Sequence, residues 1–262
     1  MSYRPRKSTH APEAAPDAAI LRDERKLIEA IDRRGLIRGG VTLGALTLLT
    51  GCDVTDQSSV NGALRTVSTW NDRAQAALFN PDKLAPVYRK SDVIRPPRFN
   101  AYYNLEDIKP VDPVAWRLDF AGAVANKTQW ALADVMALPQ IETIIRHVCV
   151  EGWSYVGDWS GPTLRSVLEK VGADLTKPFV GFHCADDYVT SMDMPTALHP
   201  QTILATHYDG KPITDPYGSP VRVRTSTKLG FKNPKWVTAI EITDKNPGGY
   251  WEDRGYNWFS GL

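Results

Sequence analysis

The residues best placed to do chemistry are three cysteines, five histidines and a basic stretch in the last third of the chain. Cys149 ends the apolar, β-branched run Ile144-Ile145-Arg146-His147-Val148 and is followed by Val150-Glu151-Gly152-Trp153. Such a run predicts a buried strand over 141–150 that delivers a sulfur to its end. Strand ends that open into loops are where a rigid scaffold displays reactive groups. The thiol is then a nucleophile, a metal ligand, half of a disulfide or a core residue. A Cys–His nucleophile requires an orienting third group and an oxyanion loop, and neither is recognisable. His147 and Cys149 share a strand face, because side chains alternate along a strand. Joined by His183 or Cys184 they make a donor set for zinc or copper, although no CxxC or HxxxH spacing is present. Cys149 and Cys184 also form the simplest disulfide pair for an oxidising compartment.

Two further stretches bear on binding. Asp215-Pro216-Tyr217-Gly218-Ser219-Pro220-Val221-Arg222-Val223-Arg224 is followed by Lys228-Leu229-Gly230-Phe231-Lys232-Asn233-Pro234-Lys235. A turn, a strand ending in arginine and a glycine loop with three lysines predict a basic pocket that suits phosphate. The alternative is a solvated basic hairpin. Phe99-Asn100-Ala101-Tyr102-Tyr103-Asn104 interleaves aromatic rings with amides, as in a loop that walls and binds a ligand, or a turn whose Asn residues satisfy their own backbone.

The elements that must position these groups follow from periodicity. Gly62–Asn80 has helical spacing, and 81–98 is a Pro-rich, basic, extended crossing. Val114–Phe120 alternates as a strand, Thr128 caps a helix running to Leu138, and a second helix spans Thr163–Val171. Strands are expected at 179–183, 188–192, 203–208, 221–224 and 236–242, with Asp209-Gly210 as a hairpin turn. Short strands with a few interposed helices make an α+β domain with one mixed core. No internal repeat or linker is visible after residue 60, so a single domain is expected over 61–262. A net charge of +1 gives no reason to expect a nucleic-acid partner. Eight Trp and ten Tyr suit a β-rich fold or an aromatic-lined pocket.

Residues 1–60 differ from the rest. Residues 1–18 are polar and rich in Ala and Pro, and 19–32 carry a charge-dense helical pattern. Arg33-Arg34 precedes an uncharged run of 13 residues, Gly39–Gly51. That is too short to span a bilayer as a mature helix but fits the apolar region of an export signal. The paired arginines resemble a twin-arginine signal, a route that carries folded proteins and so fits a cofactor inserted before export. Leu49-Thr50-Gly51-Cys52 resembles a lipobox, with an uncleaved anchor as the alternative. Either places the remainder in the periplasm, tethered to the inner membrane. Residues 1–51 hold 9 of the 31 basic and 6 of the 30 acidic residues, so the exported part has a net charge of about −2.

Taken in order, Cys149-Val150-Glu151-Gly152-Trp153, Gly218-Ser219-Pro220-Val221-Arg222, Lys228-Leu229-Gly230-Phe231-Lys232 and Lys235-Trp236-Val237 resemble the molybdopterin domain of the sulfite oxidase family. The resemblance covers roughly residues 95–245 and is closest to the bacterial periplasmic branch that includes the methionine sulfoxide reductase catalytic subunit. It implies a β-rich, mixed molybdopterin-binding fold, a molybdenum–molybdopterin cofactor and Cys149 as the molybdenum ligand. It further implies cofactor contacts from Asn100, Tyr103, Asn104, Cys184, Tyr217, Arg222, Asn233 and Lys235. Cys184 falls where the family often has Thr or Ser, and Tyr217 where the sulfoxide reductase branch has Asn. The implied activity is oxygen-atom transfer on an S-oxide, N-oxide or sulfite-like substrate, small or protein-borne. Without a haem-attachment CxxCH, electrons are expected to pass through a membrane partner such as a b-type cytochrome. Without an immunoglobulin-like dimerisation domain, a monomer is expected. Arg146 and His147 are expected to lower the pKa of Cys149. The reading from a different class is a non-catalytic periplasmic lipoprotein domain held by a Cys149–Cys184 disulfide.

Overall fold

In a computed structural model, the described residues are 57–262 apart from Tyr102. The expected export signal, Arg33-Arg34 and Cys52 lie outside them. The first element is α1, Gln57–Leu78. Asp72 and Gln75 on this helix accept hydrogen bonds from the backbone N–H groups of Phe259 (2.6 Å) and Gly261 (3.0 Å), which ties it to the C-terminal segment.

Three sheets follow among the described residues. The strand β1, Asp119–Gly122, runs parallel to the last strand, β10, Val237–Thr243. Strands β4, Phe179–Cys184, and β5, Val189–Asp193, complete that sheet in the order β1-β10-β4-β5. The second sheet is β2-β3-β7-β8, built on the long hairpin of β2, Gln140–Val148, and β3, Ser154–Pro162. Strands β7, His207–Tyr208, and β8, Lys211–Pro212, add to β3. The third is the pair β6, Ile203–Ala205, and β9, Arg222–Arg224. Three short helices lie between strands: α2, Leu132–Met136; α3, Leu164–Lys170; and α4, Met194–Ala197.

Local chemistry explains most boundaries. Thr163 caps α3 by accepting the N–H of Ser166 at 3.1 Å, and Asp193 caps α4 through Thr196 at 3.0 Å, as N-caps do. Asp209 and Gly210 take φ of 49° and 73° between β7 and β8, as a two-residue hairpin of primed type requires. Gly161 on β3 is a packing necessity: a Cβ there would lie 1.9 Å from the carbonyl oxygen of Leu204. Its missing side chain lets β6 lie directly against β3.

Three expectations are corrected. The strand over Val114–Phe120 begins only at Asp119, where pairing to Ala239 of β10 starts, and Val114 is 83% exposed. The helix expected from Thr128 begins at Leu132, because the Asp134 carboxylate accepts the N–H of Ala131 at 2.8 Å. The strand expected over 203–208 breaks at Thr206, whose N–H bonds the Ser160 carbonyl at 2.9 Å. Ile203–Ala205 therefore pairs with β9, while His207–Tyr208 pairs with β3.

Two apolar clusters hold the sheets. One packs Leu118, Phe182, Val223 and Ile240 between the first sheet and the helices. The other packs Ile145, Trp159, Ile203 and Tyr208 under the second. Each such side chain contributes roughly 1.5–3 kcal/mol when fully buried. Residues from Gly62 onward form one unit, an α+β, β-rich domain. No helix among the described residues is long and apolar enough to cross a membrane.

Candidate active site

Cys149 lies one residue beyond β2, in the turn to β3, buried at the floor of a cleft of about 770 Å³. Its N–H bonds the Trp153 carbonyl at 2.9 Å, and the Gly152 N–H returns to the Cys149 carbonyl at 3.1 Å. Gly152 takes φ of 87° to close this turn, a conformation that costs glycine little. The Glu151 carboxylate sits above the thiol, with Oε2 3.7 Å from Sγ and accepting the Trp153 indole N–H at 2.8 Å. The turn motif Cys-Val-Glu-Gly-Trp thus fixes a sulfur beside a carboxylate.

Strand β9 supplies the opposite wall. Side chains at 222 and 224 point to one side, and both guanidiniums stack on the buried Trp159 ring, at 4.8 and 5.1 Å from its centroid. Arg222 donates to the carbonyls of Tyr217 (2.8 Å) and Asn233 (3.1 Å), while its Nε is buried without a partner. Arg224 donates to His147 Nδ1 at 2.7 Å and to Asn233 Oδ1 at 2.9 Å. His147 is held neutral by burial and by these two arginines, so Nδ1 accepts and Nε2 carries the proton. The loop after β9 supplies Lys235, which donates to the carbonyls of Asn100 (2.8 Å) and Pro216 (3.1 Å) and lies 4.2 Å from the Trp236 ring centroid.

The cations of the cleft are only partly offset, Asp186 acting on Lys235 from the cleft wall. Burial and Arg222 bring the Lys235 ammonium down to about 7, and burial and Arg224 bring Arg222 to about 9. No carboxylate among the described residues forms an ion pair with either. A buried guanidinium with an orphaned N–H beside a half-buried ammonium calls for an anion. The expected lowering of the Cys149 pKa is corrected. Burial raises it, with the Glu151 carboxylate acting in the same sense. Arg146 is exposed, over the Tyr88 ring, and His147 is uncharged, so neither stabilises a free thiolate.

The structure brings five of the nine expected residues together: Cys149, Asn100, Arg222, Asn233 and Lys235 all line the cleft. The other four do not line it. Tyr103 stacks on Trp236 at 6.3 Å and donates to Asp186 at 2.9 Å, one layer behind. Asn104 is exposed and begins a single helical turn, Leu105–Asp107. Cys184 is buried in the first core, its thiol held neutral by burial and by Asp186. Tyr217 reaches Arg222 only through its carbonyl. Both Cys149 and Cys184 are free thiols, which removes the disulfide. No group of three or more His, Cys, Asp or Glu among the described residues has metal-binding geometry, which removes the zinc or copper site. The basic loop is also corrected. Lys228 pairs with Asp193 at 2.9 Å and Lys232 with Glu252, so of its three lysines only Lys235 faces the cleft. Residues missed from sequence include Asp186, Tyr188, Trp251 and Tyr256 on the cleft wall, scattered positions whose spacing carries no local signal.

A thiol at a strand end, a buried guanidinium with a free N–H and aromatic walls on a mixed β-rich domain suit the seat of an anionic redox cofactor. The chain belongs to the family described as oxidoreductase molybdopterin binding domain, of sulfite oxidase type, whose model matches residues 105–251. It is thus a molybdopterin-dependent oxidoreductase. Over 240 residues, 92% of each chain, it is 50% identical to an Azospira oryzae protein provisionally named protein-methionine-sulfoxide reductase subunit YedZ1. It is 30% identical over 154 residues to the Campylobacter jejuni protein-methionine-sulfoxide reductase catalytic subunit MsrP, covering 52% of each chain, so it spans about half of that relative. The sulfane dehydrogenase SoxCD of Paracoccus pantotrophus shares the fold, with a TM-score of 0.50 and 18% identity over 53% of this chain and 40% of that one.

The residues present fit molybdenum–molybdopterin, which supplies oxygen-atom and two-electron transfer when bound. The Cys149 thiol is the soft donor of the cleft. Arg222, through its unpartnered Nε, and Lys235 would hold the cofactor's phosphate. Arg224 and His147 lock Asn233 and the wall behind it.

Proposed function

We propose that the chain is a periplasmic reductase of S-oxides, with methionine sulfoxide carried by proteins as the substrate class. Cys149 is the molybdenum ligand, and Asn100, Arg222, Asn233 and Lys235 line the cofactor seat. Residues 1–60 are the twin-arginine signal and tether, lipidated at Cys52 or retained as an anchor. Residues 61–262 are the redox domain, acting as a monomer. The net reaction takes an S-oxide, two protons and two electrons to a sulfide and water, the electrons coming from a membrane b-type cytochrome.

One observation carries this reading: a buried free thiol shares its cleft with a buried guanidinium whose Nε has no partner and with a half-buried ammonium, neither in an ion pair with a carboxylate. The identity over 92% of a relative named as a methionine-sulfoxide reductase subunit supports the substrate class. The half-open cleft, walled by Phe231, Trp236, Trp251 and Tyr256, suits a thioether chain presented on a peptide.

The test is metal content and reduced-viologen-driven reduction of a methionine sulfoxide peptide. Wild-type protein should hold about one molybdenum per chain, as a single cofactor seat requires, and turn over. Cys149→Ser should fold and export while turnover falls to background. Wild-type-like activity in that variant overturns the ligand assignment. Arg33→Lys with Arg34→Lys should leave the precursor in the cytoplasm, and mass spectrometry of the mature N-terminus separates acylated Cys52 from a retained anchor.

A further inference from the structure

A second groove, of about 1000 Å³, lies on the other face of β2 from His147. Side chains alternate along a strand, so Arg146 and Val148 line this groove while His147 turns inward to Arg224. The groove is rimmed by large apolar side chains in water: Leu78 is 85% exposed, Leu84 56% and Leu262 60%. Val87, at 66%, stands next to the lining residue Pro86. Exposed apolar clusters of this kind mark contact sites.

These residues are held in place. Gln201 clamps the backbone of Ala85 on both sides, accepting its N–H at 2.8 Å and donating to its carbonyl at 3.0 Å. His199 contacts the Lys83 carbonyl at 3.1 Å, and Ser226 on the opposite wall donates to the same Gln201 at 3.0 Å. A rigid apolar rim meets a partner without a large ordering cost.

The groove also connects to the cleft without opening into it. Val148 lines the groove and its covalent neighbour Cys149 lines the cleft. A hydrogen-bonded path runs alongside: Thr227 on the groove wall meets Thr225 at 3.1 Å, and the Thr225 N–H bonds Asn233 Oδ1 of the cleft at 2.8 Å. The route from protein surface to the ligand sulfur therefore leaves the cleft free for a bulky substrate.

We propose that this groove docks the electron donor: a membrane haem protein that delivers electrons singly and presents an apolar ridge with acidic flanks. The cations at the groove, Lys83 and Arg146, set the charge of that partner. The rim residue Leu78 ends α1. The proposal rests on the reading of the chain as a membrane-fed reductase. Two docked deliveries of one electron each balance the two-electron reduction of one S-oxide.

The experiment uses the full chain in membranes containing its donor. Leu84→Asp and Val87→Asp should each cut donor-driven turnover by about tenfold, the size of loss expected at a contact centre. Turnover with reduced viologen, molybdenum content and melting temperature should stay at wild-type values. Lys83→Glu should lower donor-driven turnover about threefold and flatten its salt dependence, because an attractive charge facing the acidic flanks is lost. A photoreactive benzoyl-phenylalanine at position 84 should yield an adduct that carries a b-type haem spectrum. Unchanged donor-driven turnover in both aspartate variants overturns the proposal, as does an equal fall in both assays. An adduct with a second copy of the chain, with its own residues 1–56 or with lipid alone also overturns it. If the wild type fails to reduce S-oxides with viologen, the substrate reading fails instead, and the haem-bearing adduct still decides the groove.

Discussion

Two pairs of cations from one stretch of chain meet opposite fates. Lys228 and Lys232 are buried against carboxylates, Asp193 and Glu252, and close a gap between α1, β5 and the C-terminal loop. Arg222 is buried as deeply and Lys235 is half-buried, but both face the cleft with carbonyls and aromatic rings as neighbours. Each cation of the first pair has its counter-charge within the protein. The second is left for something from outside. Removing a carboxylate should therefore cost the fold, whereas removing a cleft cation should cost the ligand.

The sharpest way to break that comparison is Glu252→Ala. It strands the Lys232 ammonium in the interior and removes the acceptor of Thr190, so the domain should lose about 3–5 kcal/mol in a denaturant titration. Adding Lys232→Met should restore much of the loss, since an apolar replacement of a buried pair is tolerated.

Arg222→Ala should do the reverse. The cofactor-free chain should melt within a few degrees of wild type, because the lost cation was unmatched. Cofactor retention should fall by on the order of ten- to a hundredfold, the worth of a charge-assisted contact of roughly 1.5–3 kcal/mol. Molybdenum and pterin content of the purified protein reads this directly.

A pH series on the cofactor-free chain sharpens the same contrast. Lys235 is lowered from 10.5 to about 7, so the unfolded chain binds more protons than the folded one between those values. Stability should rise with pH over that window, with Arg222, lowered to about 9, adding in the same direction above it. Sulfate favours the charged lysine, so its effect on the melting temperature should be larger at pH 6 than at pH 9. Equal sulfate shifts at both would mean that the cleft is not where the anion binds. The smallest effect belongs to Asn104→Ala, which should leave molybdenum content unchanged, because Asn104 is exposed and outside the cleft.

How far the sequence spoke can be read from particular residues. The Cys149 strand, the Asp209-Gly210 hairpin and the helix starting at Thr163 were legible, because each depends on neighbours within a few positions. The break at Thr206 was not. Periodicity gives a strand its faces but not its partners, and here the chain changes sheets in one residue. Basic composition likewise marked the loop at 228–235 as a pocket without revealing that Asp193 and Glu252 would claim two of its lysines from across the fold. Cys184 and Tyr217 were placed by motif order alone. Motif order does not fix depth, and the fold puts one in the core and turns the other's carbonyl to the site.

Gly161 carries a consequence for how this protein can vary. It touches nothing in the cleft, yet its bare Cα sets the distance from β3 to β6, and β6 is registered through Ala205 to Arg222. In a library selected for cofactor loading, position 161 should accept no side chain at all, and the variants lost there should fail by widening the seat. The tolerance of a binding site is then written partly at an address a strand away from it, where the only acceptable chemistry is a hydrogen atom.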